Sequence, residues 1–365
     1  MTTTAPSPDI VQTNAINEEQ QHAFLNRMIG DVGAALTGAL VILGDRLGFY
    51  KKLAESGPMT SVDLAAATGT HERYVREWLA NQAASGYLTY DPMSHRFALP
   101  PEHRAILADE DSPILLCGLY QIAQILYTDE PHITEAFKTG KGFGWHEHDA
   151  RLFAATERFF RPGYNVFLTT AWIPALDGVE EKLRRGARVA DVGCGLGTST
   201  ITMAKAFPKS RFVGFDYHQG SIEAALRAAN EQGVADRVTF EVATAKAFPG
   251  RDYDFIACFD CIHDMGDPVG AAMHIRSALK KDGTFMMVEP FANDSLEDNL
   301  NPVGRVFYAA STMLCTPGSL AQEVGAALGA QSGEKRMRAI FDEAGFTTFR
   351  RATETPFNLI FEAKP

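Results

Sequence analysis

Between residues 188 and 198 the chain reads Arg-Val-Ala-Asp-Val-Gly-Cys-Gly-Leu-Gly-Thr, and no other stretch restricts its fold so narrowly. An apolar run carries Asp191, glycines follow at positions 193, 195 and 197, and a helix opens with Thr-Ser-Thr. Glycine at every second position lets the backbone turn sharply and lets a ligand lie directly against it, because no Cβ intervenes. A dinucleotide phosphate loop needs its third glycine three residues after the second. Thr198 stands there, so the spacing is G-x-G-x-G and a nicotinamide cofactor fits poorly. Strand, glycine loop and helix in that order call for a doubly wound α/β sheet.

The next apolar run, residues 211–215, ends at Asp216, 21 residues beyond Gly195. A carboxylate at the tip of the second strand accepts hydrogen bonds from both ribose hydroxyls of a nucleoside ligand. Tyr217 beside it can cover an adenine face. With Asp191 included, the pattern resembles the first motif of the class I S-adenosylmethionine-dependent methyltransferases. That resemblance implies S-adenosyl-L-methionine as cofactor, with Gly193, Cys194 and Gly195 on its methionine end and Asp216 on its ribose. Asp191, Gly197 and Tyr217 are implied as further members of the cofactor site. Many family members carry an aspartate for the adenine after the third strand. Here the sequence is Glu-Val-Ala-Thr-Ala, residues 241–245, which offers Thr244 and Ala245 in its place.

The fourth strand runs into Cys-Phe-Asp-Cys-Ile-His-Asp-Met, residues 258–265. Asp260 lies where the family's fourth motif faces the cofactor. The pair His263-Asp264 resembles that of small-molecule O-methyltransferases carrying an N-terminal winged helix, in which the histidine removes the acceptor's proton. An imidazole suits that task because its unperturbed pKa lies near neutrality. Met265 departs from the tryptophan usual there, and a histidine that merely packs against the cofactor fits the same residues. Glu289, at the tip of the fifth strand, is a second candidate for polarising the acceptor or orienting His263.

From Gly186 onward, strand and helix alternate regularly, as in a parallel sheet covered on both faces. Strands are predicted over 188–192, 211–215, 238–242, 253–259, 284–289, 347–351 and 358–363. The resemblance implies a seven-stranded, doubly wound Rossmann-like sheet whose last strand is antiparallel, preceded by an N-terminal α-helical/winged-helix domain. The expected divisions are a disordered tail (1–16), a helical and winged-helix dimerisation domain (17–110), a helical linker and substrate cover (111–180), and a cofactor domain (181–365). The last contains a cap insertion at 290–332, long enough and suitably placed to cover a crevice at the strand ends. Residues 140–148 form a glycine-broken loop carrying Trp145, His146 and His148. Trp145, His146, Tyr164, Phe307 and Met313 are the candidate acceptor contacts. The loop's two histidines have no visible third ligand, and no metal is expected.

The helical stretch 17–49 is apolar on nearly every face, with Leu36, Leu40, Val41, Leu43 and Leu47, and reads as a buried helix. Its longest apolar run, Val32 to Leu43, is too short to span a bilayer. A twin helix from a second copy is one way to bury it, which predicts a homodimer. Residues 58–100 read helix, turn, helix, hairpin and resemble a winged helix. Between Pro58 and Ala105 stand Arg73, Arg76, Arg96 and Arg104 against Asp63, Glu72, Glu77, Asp91 and Glu102. A groove-reading helix carrying Glu72 and Glu77 is poorly suited to DNA. The net charge of −11 argues the same way, because a polyanion binder needs a basic surface. Five cysteines, an odd number without zinc-site spacing, and a start lacking a signal-peptide pattern fit a cytoplasmic protein.

The expectation is therefore an enzyme moving a methyl group from S-adenosylmethionine to the hydroxyl or thiol of a small, fairly apolar acceptor. Nucleic acid and membrane are not expected partners. The alternative is a winged-helix DNA-binding regulator that senses the cofactor.

Overall fold

The computed structural model describes residues 16–365. The expected tail at 1–16 lies outside the described residues except for Ile16. The chain divides into two units, Met1–Pro100 and Pro101–Pro365.

In the first unit a helix spans Glu18–Arg46, a second Phe49–Ser56, a third Ser61–Thr68 and a fourth Glu72–Ala84. The third opens with a capping box in which the Thr60 side chain accepts from the Asp63 backbone and the Asp63 carboxylate accepts from the Thr60 backbone. Strands β1 (Thr89–Asp91) and β2 (Arg96–Ala98) form an antiparallel hairpin, and Met59 bridges to Phe97. Trp78 packs edge-on against Phe49 and Tyr50 and donates to the Leu40 carbonyl at 2.8 Å.

The first helix corrects the expectation of burial. Of its residues only Thr37, Val41, Ile42 and Gly44 are buried, while Phe24, Leu25, Ile29, Val32 and Leu36 are all more than half exposed. Its 29 residues also exceed the apolar run read from sequence, because Asp31 and Asp45, which bracket that run, do not interrupt the helix. It is long and apolar enough to cross a membrane by length and composition, the one such helix among the described residues.

In the second unit β3 (Arg188–Val192), β4 (Arg211–Asp216), β5 (Val238–Val242), β6 (Tyr253–Phe259), β7 (Leu279–Pro290), β8 (Thr348–Glu354) and β9 (Asn358–Lys364) form one sheet in the order 5-4-3-6-7-9-8. β3 to β7 run parallel, and β9 inserts antiparallel between β7 and β8. β6 is buried along nearly its whole length, as a central strand covered on both faces must be. Two apolar clusters form these layers, one holding Trp172, Ile201 and Phe255, the other Ile256, Phe285 and Phe341.

Two prolines shape the helices that frame the crevice. Pro162 closes the helix Arg151–Gly163, and the chain continues as a π-helical turn, Tyr164–Trp172. Pro lacks the N–H for an ordinary helical bond, so the regular ladder is interrupted at this point. The insertion has the reverse order, with a π-helical turn at Ser311–Cys315 running into a short helix that carries Pro317. Residues 111–180 belong to the same unit as the sheet and do not form a separate body.

Candidate active site

A crevice of about 570 Å³ opens at the carboxyl ends of β3, β4, β5 and β6. The order of strands reverses between β3 and β6, the place where open α/β sheets bind their ligands. The glycine loop forms its floor. Gly193 and Cys194 donate their N–H groups to the Phe215 carbonyl at 2.8 and 3.0 Å, which ties the loop to β4. At Gly195 φ is +52°, and a Cβ there would meet no protein atom within 4 Å, so the space over the loop is left to a ligand.

Asp216 lines the crevice between two backbone donors, Gly195 at 3.0 Å and His218 at 2.9 Å. Burial raises its carboxyl above the usual range, against the lowering effect of those two N–H groups. Tyr217, Thr244 and Ala245 join it on the wall, and Tyr217 is half exposed. On the far side Asp260 takes a left-handed backbone, φ +50°, and its carboxylate accepts from Asn358 at 2.9 Å and from the Tyr164 hydroxyl at 3.3 Å. Burial pushes the Asp260 carboxyl well up, and the charge of Glu289 adds to this.

Asp191 and Gly197 lie elsewhere than their implied place at the cofactor. Asp191 is fully buried under the loop, and its Oδ2 accepts from the Ser199 and Thr200 hydroxyls at 2.6 and 2.7 Å. Burial lifts its carboxyl to about 6 against those two hydrogen bonds. Gly197 serves packing: a Cβ there would come within 2.7 Å of Phe240 and 2.9 Å of Ala225. Neither residue is among those lining the crevice.

Beyond β6, His263 is buried with each imidazole nitrogen against a carboxylate. Nδ1 meets Glu289 Oε2 at 2.5 Å, and Nε2 lies 3.1 Å from Asp264 Oδ1. Burial alone disfavours the imidazolium, but the charges of Asp264 and Glu289 outweigh it and hold the histidine well above its usual pKa. Glu289 also accepts from the Ile262 N–H at 3.0 Å. Of the three, only Asp264 reaches the crevice wall.

Among the candidate acceptor contacts, Trp145, His146 and Tyr164 line the crevice. Phe307 and Met313 do not. Both pack into a separate apolar cluster with Ile122, Leu152 and Leu314, because the insertion uses its apolar side to close a core of its own. What the insertion places at the crevice is Gly318, Ala321, Gln322 and Glu323. Gln322 donates to the carbonyls of Asp264 and Gly318 and accepts from the Gly266 N–H, while Ser319 donates to the Met265 carbonyl. Lys246 bridges Asp267 and Glu323, both at 2.9 Å. Sequence reasoning also missed Phe153, which stacks on His218 with ring centroids 4.3 Å apart, and Phe160. No motif marks these residues; helical aromatics look alike whether they face a core or a ligand.

A glycine loop over β3, an acid ending β4 and an antiparallel last strand define the class of S-adenosylmethionine-dependent methyltransferases. Residues 183–345 match the family model of a methyltransferase domain, and residues 34–109 that of an Rv2258c-like winged HTH domain. The chain thus carries a methyltransferase domain preceded by a winged-helix domain. An uncharacterized methyltransferase of Bacillus subtilis, YcgJ, is 29% identical over 123 residues, which cover 33% of this chain and 47% of that protein. The chain thus spans less than half the length of the curated relatives it matches first. The mitomycin biosynthesis 6-O-methyltransferase of Streptomyces lavendulae is 25% identical over 314 residues, 82% of each chain. The crystal structure of human N-acetylserotonin methyltransferase, in complex with S-adenosylmethionine, superposes with a TM-score of 0.69 at 16% identity, covering 96% of this chain and 99% of that one.

S-adenosylmethionine fits the residues present. The Asp216 carboxylate stands at the crevice wall, where it could accept from ribose hydroxyls, and the bare loop at Gly195 leaves room beside it.

Proposed function

We propose that this chain transfers the methyl group of S-adenosylmethionine to the hydroxyl or thiol of a small, fairly apolar acceptor. The observation that carries this reading is Asp216, held by two backbone N–H groups at the wall of a crevice floored by the glycine loop. The methyl leaves a sulfonium, so positive charge vanishes as the reaction proceeds. The chain's task is then to align the nucleophile behind the methyl and to exclude water. Trp145, Phe153, Phe160 and Tyr164 provide an apolar enclosure, and Asp264, backed by His263 and Glu289, supplies the group that meets the acceptor's proton. We place His263 as a positioning residue behind Asp264, because neither of its nitrogens faces the crevice unaccompanied. Phenol or alcohol acceptors are favoured by the O-methyltransferase named above.

The DNA-binding alternative gains no support. In the helix Glu72–Ala84 the arginines are spent within the helix, Arg73 on Glu77 and Arg76 on Glu72. The reading further includes a homodimer through the exposed helix Glu18–Arg46, and a cytoplasmic protein that does not insert in membranes.

Titration calorimetry with adenosylhomocysteine tests the core of it. Replacing Asp216 by Ala removes two hydrogen bonds to a charged acceptor, each worth about 1.5–3 kcal/mol, so affinity should fall at least about 100-fold. Unchanged affinity removes Asp216 from the site, and tight binding of NAD instead overturns the assignment. For acceptor activation, His263→Ala should lower turnover by about 10²–10⁴-fold while cofactor affinity holds. The loss should be smaller for a thiol acceptor, with a pKa of about 8.5, than for an alcohol. Parallel losses of affinity and turnover, indifferent to acceptor pKa, would leave His263 a packing role only.

A further inference from the structure

The methyl-transfer reading uses His263, Asp264 and Glu289 but leaves Cys315 without a task. Cys315 comes from the π-helical turn of the insertion, 51 residues beyond Asp264 in sequence. In space the ligand atoms of His263, Asp264 and Cys315 all lie within 4.8 Å of one another. We propose that these three side chains form a binding site for a divalent transition metal of zinc type, from which the acceptor's oxygen or sulfur is activated. The proposal rests on the methyl-transfer reading only for its second clause.

Four observations converge. The donor set is one imidazole nitrogen, one thiol sulfur and one carboxylate oxygen, which suits zinc and its neighbours and does not suit magnesium or calcium. The three ligand atoms lie within 4.8 Å of one another, so small side-chain shifts would bring them to bonds of about 2.0–2.3 Å around one tetrahedral ion. Glu289 grips the other imidazole nitrogen at 2.5 Å, the outer carboxylate that metal-bound histidines regularly have. Finally, the 3.1 Å contact between His263 and Asp264 lacks hydrogen-bond geometry, so Asp264 Oδ1 is buried with no donor. His263 is paired with both Asp264 and Glu289. Two carboxylates sharing one imidazole in a dry setting leave negative charge that a cation would balance.

Three protein ligands leave one tetrahedral position for a substrate or water, as in catalytic rather than structural zinc sites. Asp264 is the ligand shared with the crevice wall, which puts the ion within reach of an acceptor there. Binding would displace the Cys315 thiol proton to solvent. The acceptor then loses its own proton to solvent as its oxygen or sulfur joins the ion, because a bound cation lowers the pKa of what it holds. That atom attacks the methyl carbon. The methyl–sulfur bond breaks with its electron pair passing to sulfur, and a neutral thioether remains.

Cobalt(II) is the probe, added to full-length chain stripped with a chelator. One equivalent should give visible bands of tetrahedral intensity and a near-ultraviolet thiolate-to-cobalt band. Cys315→Ser should abolish the thiolate band, Cys117→Ser should keep it, and His263→Gln should lose binding altogether. Glu289→Gln should weaken cobalt by about 10–100-fold. Circular dichroism establishes that each variant is folded. Adenosylhomocysteine binding measured on the same samples separates the two readings. A chain that binds adenosylhomocysteine but shows no cobalt bands at excess metal overturns the metal site alone, as does a thiolate band that survives in Cys315→Ser. Tetrahedral bands without adenosylhomocysteine binding uphold the site and remove methyl transfer.

Discussion

Asp191 shows how a motif residue can serve the loop rather than the ligand. Its Oδ2 takes two hydroxyls, and its Oδ1 is buried without any partner. An unfolded aspartate titrates near ~3.9, whereas this one titrates at about 6 in the folded chain. The native state therefore binds the proton more tightly, and its stability falls as pH rises from about 4 to about 6. The loss attributable to this group is about 2–3 kcal/mol at about 1.4 kcal/mol per pH unit. Asp191→Asn should lack that component, so denaturant midpoints of the two proteins should diverge in favour of the variant between those pH values. A constant difference across the range would show that Asp191 is ionised throughout. Gly197 makes a second residue-level case. With φ at +83° and Phe240 at 2.7 Å from any added Cβ, Gly197→Ala should destabilise by about 1–3 kcal/mol, read by thermal or denaturant unfolding.

At the scale of elements, the strands were legible because a covered parallel sheet writes continuous apolar runs into its sequence. The runs at 188–192, 211–215 and 253–259 coincide with β3, β4 and β6 to within a residue. The site's floor was legible for the same reason, since Gly195 and Asp216 sit at fixed offsets from those runs. The insertion was not. Its aromatic Phe307 drew attention, yet Phe307 fills a core, and polar Gln322, unremarkable in sequence, meets the crevice. Helical periodicity says that one face is apolar and leaves open what that face covers. Gln322 holds three backbone groups of two loops together, so Gln322→Ala should loosen the seal over the cofactor. Hydrogen exchange should speed up over 318–327, and adenosylhomocysteine should dissociate several-fold faster; unaltered exchange would reduce Gln322 to a surface residue.

For the molecule as a whole, the helix Glu18–Arg46 is the part least explained by a single chain. Leu36 is 70% exposed and Ile29 62%, far from what a lone soluble helix of this composition tolerates in water. Self-association offers a symmetric cover. Sedimentation at micromolar concentration should show a dimer, and Ile29→Asp with Leu36→Asp should shift it to monomer without unfolding either unit. A wild-type monomer would count against the assembly.

Asn358 opens β9, and it reaches across to Asp260 at the crevice. β9 also supplies the sole strand neighbour of β8 and occupies the gap beside β7. The sheet and the pocket are therefore closed by the same strand. Without β9, β8 would be unpaired, β7 would have a bare edge and Asp260 would lack its amide partner. One strand thus ties the closure of the sheet to the shape of the crevice wall, so damage to either is felt by both.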